Sequence, residues 1–167
     1  NYGANGALDM QSSSYKISSI DNAAGTAAGW ADSRIRGVMG ANQSVSISEI
    51  HDGTSNTLML LELRAGLTVY DCRGIWAMSG AGPSSLWCHG YVGDARGPNA
   101  VFVNSDDTAN CGQLTTALGG SDELVRKKMT CYSSTGHPLN RQAASRSMHA
   151  GGVFSCLCDG SVHFISD

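Results

Sequence analysis

One loop concentrates oxygen-bearing side chains that could bind a metal ion. The amide and carboxylate oxygens of such side chains are the ligands that Ca²⁺ prefers in proteins. The spacing differs from that of an EF-hand loop, and the glycine that such a loop places at its sharp turn is absent. The sequence leaves a calcium site and an ordinary polar loop as alternatives, and no other cofactor is expected; the residues are Asn104, Asp106, Asp107 and Asn110.

Ser147 and His149 have the residue types of a hydrolytic site, and on an extended strand they would share one side. No paired aspartate is evident nearby. The sequence also lacks G-x-S-x-G, H-E-x-x-H, P-loop and dinucleotide-binding motifs. We therefore expect no catalytic residues and no enzymatic activity.

The cysteines form an even set of six without any C-x-x-C pair, which favours disulfides over a zinc ribbon or a redox motif. Three bridges would indicate an oxidising compartment and would each stabilise the fold by about 2–4 kcal/mol. A Cys111–Cys131 bridge is favoured because these residues flank the clearest helix. Cys156 and Cys158 are expected to reach different partners; the full set is Cys72, Cys88, Cys111, Cys131, Cys156 and Cys158.

Several residues suit contact with sugars. Asn42 begins the sequon Asn-Gln-Ser, a candidate glycosylation site. Tryptophan rings can stack on sugars, although single aromatic side chains more often anchor a core or an interface. Glycans are therefore a candidate partner; the tryptophans are Trp30, Trp76 and Trp87.

The composition indicates one domain with a weakly charged surface. The chain has 167 residues, of which 15% are charged and 41% hydrophobic, and its net charge is -3. A surface with so little charge is plausibly covered by neighbouring subunits or glycans. The few lysines form no basic stripe for nucleic acid, and no apolar run of about 18 residues could span a membrane. With neither a leader nor an initiator methionine before Asn1, we expect a mature or truncated product of export.

The predicted elements are mostly strands. Residues 1–14 form an extended tail that could lie on its own domain or in the groove of a neighbouring subunit, and 15–167 form one globular β-rich domain. Ser46 and Glu49 have capping-box spacing, which favours a helical turn at 47–51 over a strand. Residues 57–63 predict a central strand, and the remaining short strands are expected at 67–70, 74–78 and 101–103.

The C-terminal half contains the clearest helix and hairpin. The helix is predicted at 121–129, with Ser121 as its N-cap. Asp159-Gly160 between two apolar runs predicts an inner hairpin with a type I′ turn. In that register one face would carry Val153, Leu157, Val162 and Phe164, and the other Phe154, Cys156, Cys158, His163 and Ile165.

Three sets of polar residues each allow two interpretations. His149 and Asp159 could pair, or serve a backbone turn and the hairpin loop separately. Asp52 and Asn56 could bind a metal, or cap local backbone donors as such side chains commonly do. Glu62 is either solvated at the end of its strand or a buried acceptor for an arginine, with three candidates: Arg36, Arg64 and Arg146.

Two segments resemble a large bacterial family of secreted, prepilin-like proteins of undetermined function. The first is I-H-D-G-T-S-N-T-L at 50–58 followed by Glu62, and the second is R-S-M-H-A-G-G-V at 146–153 followed by D-G-S-V-H-F-I at 159–165. His149 and Asp159 show the family's His-x9-Asp-Gly spacing, and 73–77 and 97–99 resemble intermediate blocks. The resemblance assigns a structural motif role to Asp52, Gly53, Ser55, Asn56, Glu62, His149, Gly151, Gly152, Asp159 and Gly160.

The resemblance implies a pseudopilin-like head without the N-terminal helix. Together with the residue patterns it predicts an α+β fold, predominantly antiparallel β with one short helix and long disulfide-stapled loops. The expected function is a structural subunit of an extracellular or cell-surface filament, a pilus-like homopolymer that binds other copies of itself. The alternative is a monomeric, surface-displayed binding module that depends on calcium and recognises glycans.

Overall fold

A computed structural model of the protein describes residues 2–7, 38–39, 45–75, 77, 85–87, 97–102, 105–133 and 143–167, with 2–7, 85 and 87 described by backbone alone. The strands are β1 (Tyr2–Ala7), β2 (Leu58–Glu62), β3 (Ser85–Trp87), β4 (Gly152–Leu157) and β5 (Val162–Ser166). The helices are α1 (Cys111–Leu118) and α2 (Ser121–Arg126). A 3-10 turn occupies Ile47–Glu49, where Glu49 Oε2 accepts from Ser46 N at 2.8 Å, as the capping-box spacing predicts.

The described strands form one sheet in the order β3-β1-β2-β4-β5. Each neighbouring pair is antiparallel except β1 and β3, which run parallel. Strand β2 lies at the centre, which confirms the central strand predicted from its apolar run. The predicted fold class, α+β with a predominantly antiparallel sheet and little helix, is also confirmed.

The first residues of the chain belong to the sheet of their own chain. In β1, Tyr2 pairs with Glu62 and Ala4 pairs with both Leu60 and Ser85. Backbone pairing on both sides explains how a Gly- and Asn-rich segment takes an extended form. The rest of the predicted tail, 8–14, lies outside the described residues.

The β4–β5 hairpin forms, but its register differs from the predicted one by one residue. Phe154 pairs with Phe164 and Val153 with Ile165. Leu157 N donates to Ser161 O at 2.9 Å, so the loop contains three residues, and Gly160 alone among them has positive φ, +85°. This is a type I turn followed by a left-handed glycine rather than the predicted type I′ turn. The extra residue moves Phe154 to the face of Phe164, so the predicted face sets are wrong.

Two further predictions about strands are wrong. Strand β5 lies at an edge of the described sheet, so among the described strands the hairpin is not an inner one. Residues 67–70 form a bend and turn, because the Asp71 carboxylate accepts from Leu67 N and Arg73 N, each at 3.2 Å, and folds the segment back. Residues 74, 75 and 77, and also 101–102, are irregular or turn; the other positions of those predicted strands are not described.

The helical region contains two short helices where one was predicted. Helix α2 ends at Arg126, and Gly120 is its N-cap, so Ser121 is its first residue. Helix α1 ends at Leu118, and the φ of +87° at its C-cap, Gly119, suits a left-handed C-terminal residue. Apolar side chains from both helices pack together, and the predicted Cys111–Cys131 disulfide is confirmed; the buried cluster is Cys111, Leu114, Leu124 and Cys131.

Two of the other cysteines, Cys156 and Cys158, differ from the prediction of three bridges. Cys156 and Cys158 are half-buried thiols in the structure, so the predicted bridges from these two residues are absent from the described part of the chain. Burial, Cys156 and Asp159 raise the pKa of the Cys158 thiol, which keeps it protonated at neutral pH. Cys88 lies outside the described residues.

Candidate functional site

Glu62 joins the family-motif segments at one end of β2. Its Oε1 lies 3.1 Å from His149 Nε2, and its Oε2 accepts the Phe154 N–H at 2.8 Å. The His149 ring meets the Phe154 ring edge-on at a centroid distance of 5.1 Å. Among the described residues, the Glu62 carboxylate therefore binds His149 and a backbone amide rather than Arg64 or Arg146, while Arg36 is not described. His149 does not pair with Asp159.

The backbone of Glu62 reinforces this junction. Its carbonyl oxygen accepts from Ser145 Oγ at 2.8 Å and from Arg146 N at 3.1 Å. The segment before β4 is thereby held against the end of β2, which positions His149 beside the Glu62 carboxylate. Glu62 thus fixes two neighbouring segments through its side chain and its backbone together.

At the other end of β2, the D-G-T-S-N turn packs against the Asp159-Gly160 loop. Thr54 O accepts from Asp159 N at 3.2 Å, and Thr57 O accepts from Cys158 N at 2.9 Å. Within the turn, Asn56 Nδ2 donates to Asp52 O at 3.0 Å. Because β2 and β4 are antiparallel, motifs far apart in sequence meet at both ends of this strand pair, where they fix its register.

A charge cluster, defined here as Asp71, Arg73, Asp106 and Arg146, lies buried between the loops. Arg73 binds Asp71 with two donors, at 2.8 and 2.9 Å, and binds Asp106 at 2.7 Å. Arg146 Nε binds the same Asp106 oxygen at 2.6 Å. Two cations and two anions balance, and the cluster ties residues 71–73, 105–106 and 144–146 together.

Backbone carbonyl oxygens also accept hydrogen bonds from both guanidinium groups. Arg73 also donates to the carbonyl oxygens of Met129 and Thr130, at 3.0 and 3.2 Å, so all five of its N–H groups have partners. Arg146 donates to the carbonyl oxygens of Ala100 and Lys128 at 2.9 and 2.5 Å. Satisfied donors make such a buried charge tolerable, since each one left unpaired would carry a desolvation penalty.

The protonation states of the charge cluster follow from these contacts. Burial alone would raise the pKa of the Asp106 carboxyl, but Arg146 and Arg73 more than offset burial and hold it below its usual value. Burial likewise opposes the charge on Arg73, while Asp106 and Asp71 raise its pKa above the ordinary value. Asp106 and Arg73 are therefore charged at neutral pH.

In the loop that could hold calcium or be an ordinary polar loop, Asp106 binds arginine side chains. Asp106 Oδ2 accepts from two guanidinium groups, and its Oδ1 accepts from Ala144 N at 3.0 Å. Cationic side chains thus occupy the place that a calcium ion would need. Asp107 is buried, and Asn110, the N-cap of α1, has a left-handed backbone conformation. Among the residues that the structure describes, no group of three or more His, Cys, Asp or Glu side chains could hold a metal ion. Asn104 is not described.

Ser147 serves the framework rather than a reactive pair with His149. Ser147 Oγ donates to Gly152 O at 2.6 Å and accepts from the His149 backbone N–H at 3.1 Å. Asn99, at a φ of +52°, accepts from Ser147 N at 2.9 Å and donates to Asp167 Oδ1 at 2.7 Å. The role of Asn99 was missed, since only its place in the Gly-Pro-Asn block marked it.

A serine, a histidine and an aspartate do meet on the hairpin, in an order unlike a catalytic triad. Ser161 Oγ lies 2.6 Å from Asp159 Oδ1 and 3.0 Å from His163 Nε2. The serine is in the middle, so the carboxylate does not orient the imidazole as a general base. Asp159 also accepts from Ser161 N at 2.9 Å, so the arrangement closes the loop.

Several candidate residues lie outside the described part of the chain, and their predicted roles stay predictions. They are Trp30, Arg36, Asn42, Trp76, Cys88 and Asn104, together with the side chain of Trp87.

Comparison with known proteins yields one match. A family model described as "Protein of unknown function (DUF1559)" matches residues 1–167. No curated protein matches the chain, and no solved structure matches it. Within the described ranges, no helix has the length and apolar character needed to cross a membrane.

Proposed function

Since the chain belongs to the DUF1559 family of proteins of unknown function, which supplies no activity, we propose that it is a structural subunit. It would assemble with copies of itself into an extracellular or cell-surface filament, as a prepilin-like protein whose head forms the polymer. The proposal includes export to an oxidising compartment, which suits the Cys111–Cys131 bridge. It assigns no catalytic residue.

The observation that carries the proposal is the apolar character of the exposed surface. Val69 is 95% exposed, Met148 84%, Ile47 78% and Phe102 58%. Scattered apolar side chains are ordinary on a protein surface, but here they accompany a charged content of only 15%, part of which lies buried in the charge cluster. Neighbouring subunits would cover these side chains and remove them from water.

The family-motif residues support a structural role. In the described structure they close turns, fix the register of β2 against β4 and hold the hairpin. Residues used in this way keep a subunit rigid, and a rigid subunit loses little conformational entropy on assembly.

Electron microscopy and light scattering of the purified protein across a concentration series test the proposal. Filaments or large oligomers are expected to increase with concentration. Val69→Lys with Met148→Lys should shift assembly to higher concentration, because it places charge where apolar contacts form. Gln113→Lys with Thr116→Lys adds the same charge at exposed polar positions and is the matched control.

A dispersed monomer at every concentration would contradict the proposal and favour the alternative, a monomeric binding module. The calcium-dependent form of that alternative is less well supported, because Asp106 is committed to two arginines.

A further inference from the structure

Strand β5 is an open edge of the described sheet. It pairs with β4 on one side, and no described strand lies on the other. Its side chains Val162 and Phe164 are 62% and 47% exposed. The strand, V-H-F-I-S, contains neither the lysine nor the proline that proteins commonly place on an edge to prevent pairing.

The hydrogen bonds around the hairpin show which residues of β5 face β4. Leu157 N donates to Ser161 O, and Asp167 N donates to Gly151 O, each at 2.9 Å. Ser161 and Asp167 therefore turn their backbone groups toward β4. Antiparallel pairs alternate between hydrogen-bonded and non-hydrogen-bonded positions, so the residues between these two alternate in the same way.

The outward-facing groups of β5 follow from that alternation. The Phe154 N–H points to Glu62 on β2, so Phe154 and Phe164 form a non-hydrogen-bonded pair. The backbone N–H and C=O groups of Val162, Phe164 and Ser166 consequently point away from β4. They have no protein partner among the described residues.

We propose that β5 is a pairing site for β5 of a second copy of this chain, antiparallel, with Phe164 opposite Phe164 of the second copy. In this register Val162 lies opposite Ser166 of the other copy, and every outward group meets a complementary one. About six backbone hydrogen bonds would form. The exposed Val162 and Phe164 side chains of both copies would come together on one face.

The charges at the two ends of β5 favour the antiparallel arrangement with a second copy. One end carries the Asp159 carboxylate beside Ser161, and the other carries Lys128 Nζ at 2.6 Å from Asp167 Oδ2. Antiparallel pairing brings the Asp159 end of one copy to the Lys128 end of the other. The Lys128 end also carries the Asp167 carboxylate, so the Asp159 end meets an ion pair there; parallel pairing would instead place Asp159 beside Asp159 of the second copy with no cation between them, which disfavours it.

This interface deepens the proposed function and rests on it, because it names one contact through which copies associate. A two-fold pairing closes on itself and gives a dimer, so a filament requires at least one other interface. The dimer and the filament are therefore separable in experiment.

Sedimentation equilibrium of the purified protein tests the pairing. The wild type is expected to dimerise. Val162→Lys should raise the dimer dissociation constant at least tenfold, since it places a lysine within the paired edge. Val125→Lys is the matched control, because Val125 is 47% exposed and lies on α2 rather than in the sheet; its dissociation constant should equal that of the wild type. If Val162→Lys loses its fold by circular dichroism, Ser166→Lys replaces it.

A crosslink tests the register independently. Phe164→Cys, in a background with Cys156→Ser and Cys158→Ser, is expected to form a disulfide-linked dimer on mild oxidation, because paired Cα atoms at this position would lie about 5.5 Å apart. Val125→Cys in the same background should stay monomeric on oxidation.

Equal crosslinking of both variants, or equal dimerisation of Val162→Lys and the wild type, would overturn the inference. Equal dimer dissociation constants for Val162→Lys and the wild type, with filaments present, would refute this interface and leave the proposed function standing. Dimers without filaments would refute the proposed function alone.

Discussion

Arg73 and Arg146 converge on one oxygen of Asp106, so the three loops that carry the charge cluster depend on one another. A complete buried charge cluster adds little to the free energy of unfolding compared with apolar residues in the same place, because desolvation offsets the attraction between the charges. The loss of one member destabilises the fold, since it leaves an uncompensated charge buried.

Arg73→Met is therefore expected to lower the free energy of unfolding by about 3–5 kcal/mol. The substitution leaves Asp71 and Asp106 buried without their shared cation. Arg126→Met is the matched control, because Arg126 pairs with Glu123 on the exposed side of α2. Urea denaturation of both variants measures the difference, and equal stabilities would show that the charge cluster has no structural role.

Glu62→Ala is expected to lower the free energy of unfolding by about 1–3 kcal/mol, because the Phe154 N–H and the His149 ring lose their acceptor. Glu62→Gln should cost less, since its remaining amide oxygen can still accept from Phe154 N. Thermal unfolding followed by circular dichroism compares the two. If Gln proves no better than Ala, the hydrogen bond to Phe154 is not the stabilising contact.

At the level of elements, the hairpin depends on two glycines for different reasons. A Cβ on Gly152 would overlap Ile165 O and lie 2.8 Å from the Phe164 ring. A Cβ on Gly160 would meet nothing within 4 Å, but its φ of +85° is unfavourable for other residues. Packing constrains the first position and backbone conformation the second.

Gly152→Ala is accordingly expected to destabilise the protein by about 1–3 kcal/mol or more. Gly160→Ala should cost about 1–2 kcal/mol through backbone strain. Gly112→Ala, inside α1 with open space around its Cβ, should stabilise the protein by about 0.5–1 kcal/mol. Urea denaturation of the three variants checks the ranking, and a stabilising Gly152→Ala would be inconsistent with the β4–β5 register.

Replacement of both Cys111 and Cys131 by alanine is expected to lower the free energy of unfolding by about 3 kcal/mol, because the bridge closes a loop of sequence separation 20. Cys158→Ser, at a half-buried thiol, is the control and should show no comparable loss. Thermal unfolding compares the variants. A double variant as stable as the wild type would indicate that packing of Leu114 against Leu124 suffices.

The sequence predicted the individual elements better than the contacts between them. The apolar run of β2, the Asp-Gly loop and the capping box at Ser46 are local signals, and each formed. The hairpin register was missed because two-residue and three-residue loops share the same Asp-Gly signal. The partners of Glu62 and Asp106 were missed because contacts between distant segments leave no local pattern.

At the level of the whole molecule, stability should decrease in acid. The pKa of Asp106 is held low by Arg146 and Arg73 against burial, that of Asp159 by hydrogen bonds from Ser161, and that of Asp167 by Lys128 and Asn99. In the unfolded chain an aspartate pKa is about 3.9. Between the folded and unfolded values the unfolded state binds more protons, so acid favours unfolding.

The free energy of unfolding is therefore expected to stay level from about pH 7 to 5 and to fall below about pH 4. Urea denaturation at several pH values measures the profile. Asp167→Asn should show a shallower decrease, because it removes one of these carboxyls. A wild-type stability that is constant down to pH 3 would contradict the assignment of lowered pKa values.

The pairing of β1 has a consequence for the order in which the protein acquires its fold. Strand β1 is far in sequence from both strands that it pairs with, since Tyr2 pairs with Glu62 and Ala4 pairs with Ser85. Closing such long loops is entropically slow, whereas β4 and β5 are joined by a short turn. We expect the β4–β5 hairpin to form early and β1 to join the sheet late, with overall folding in about milliseconds to seconds.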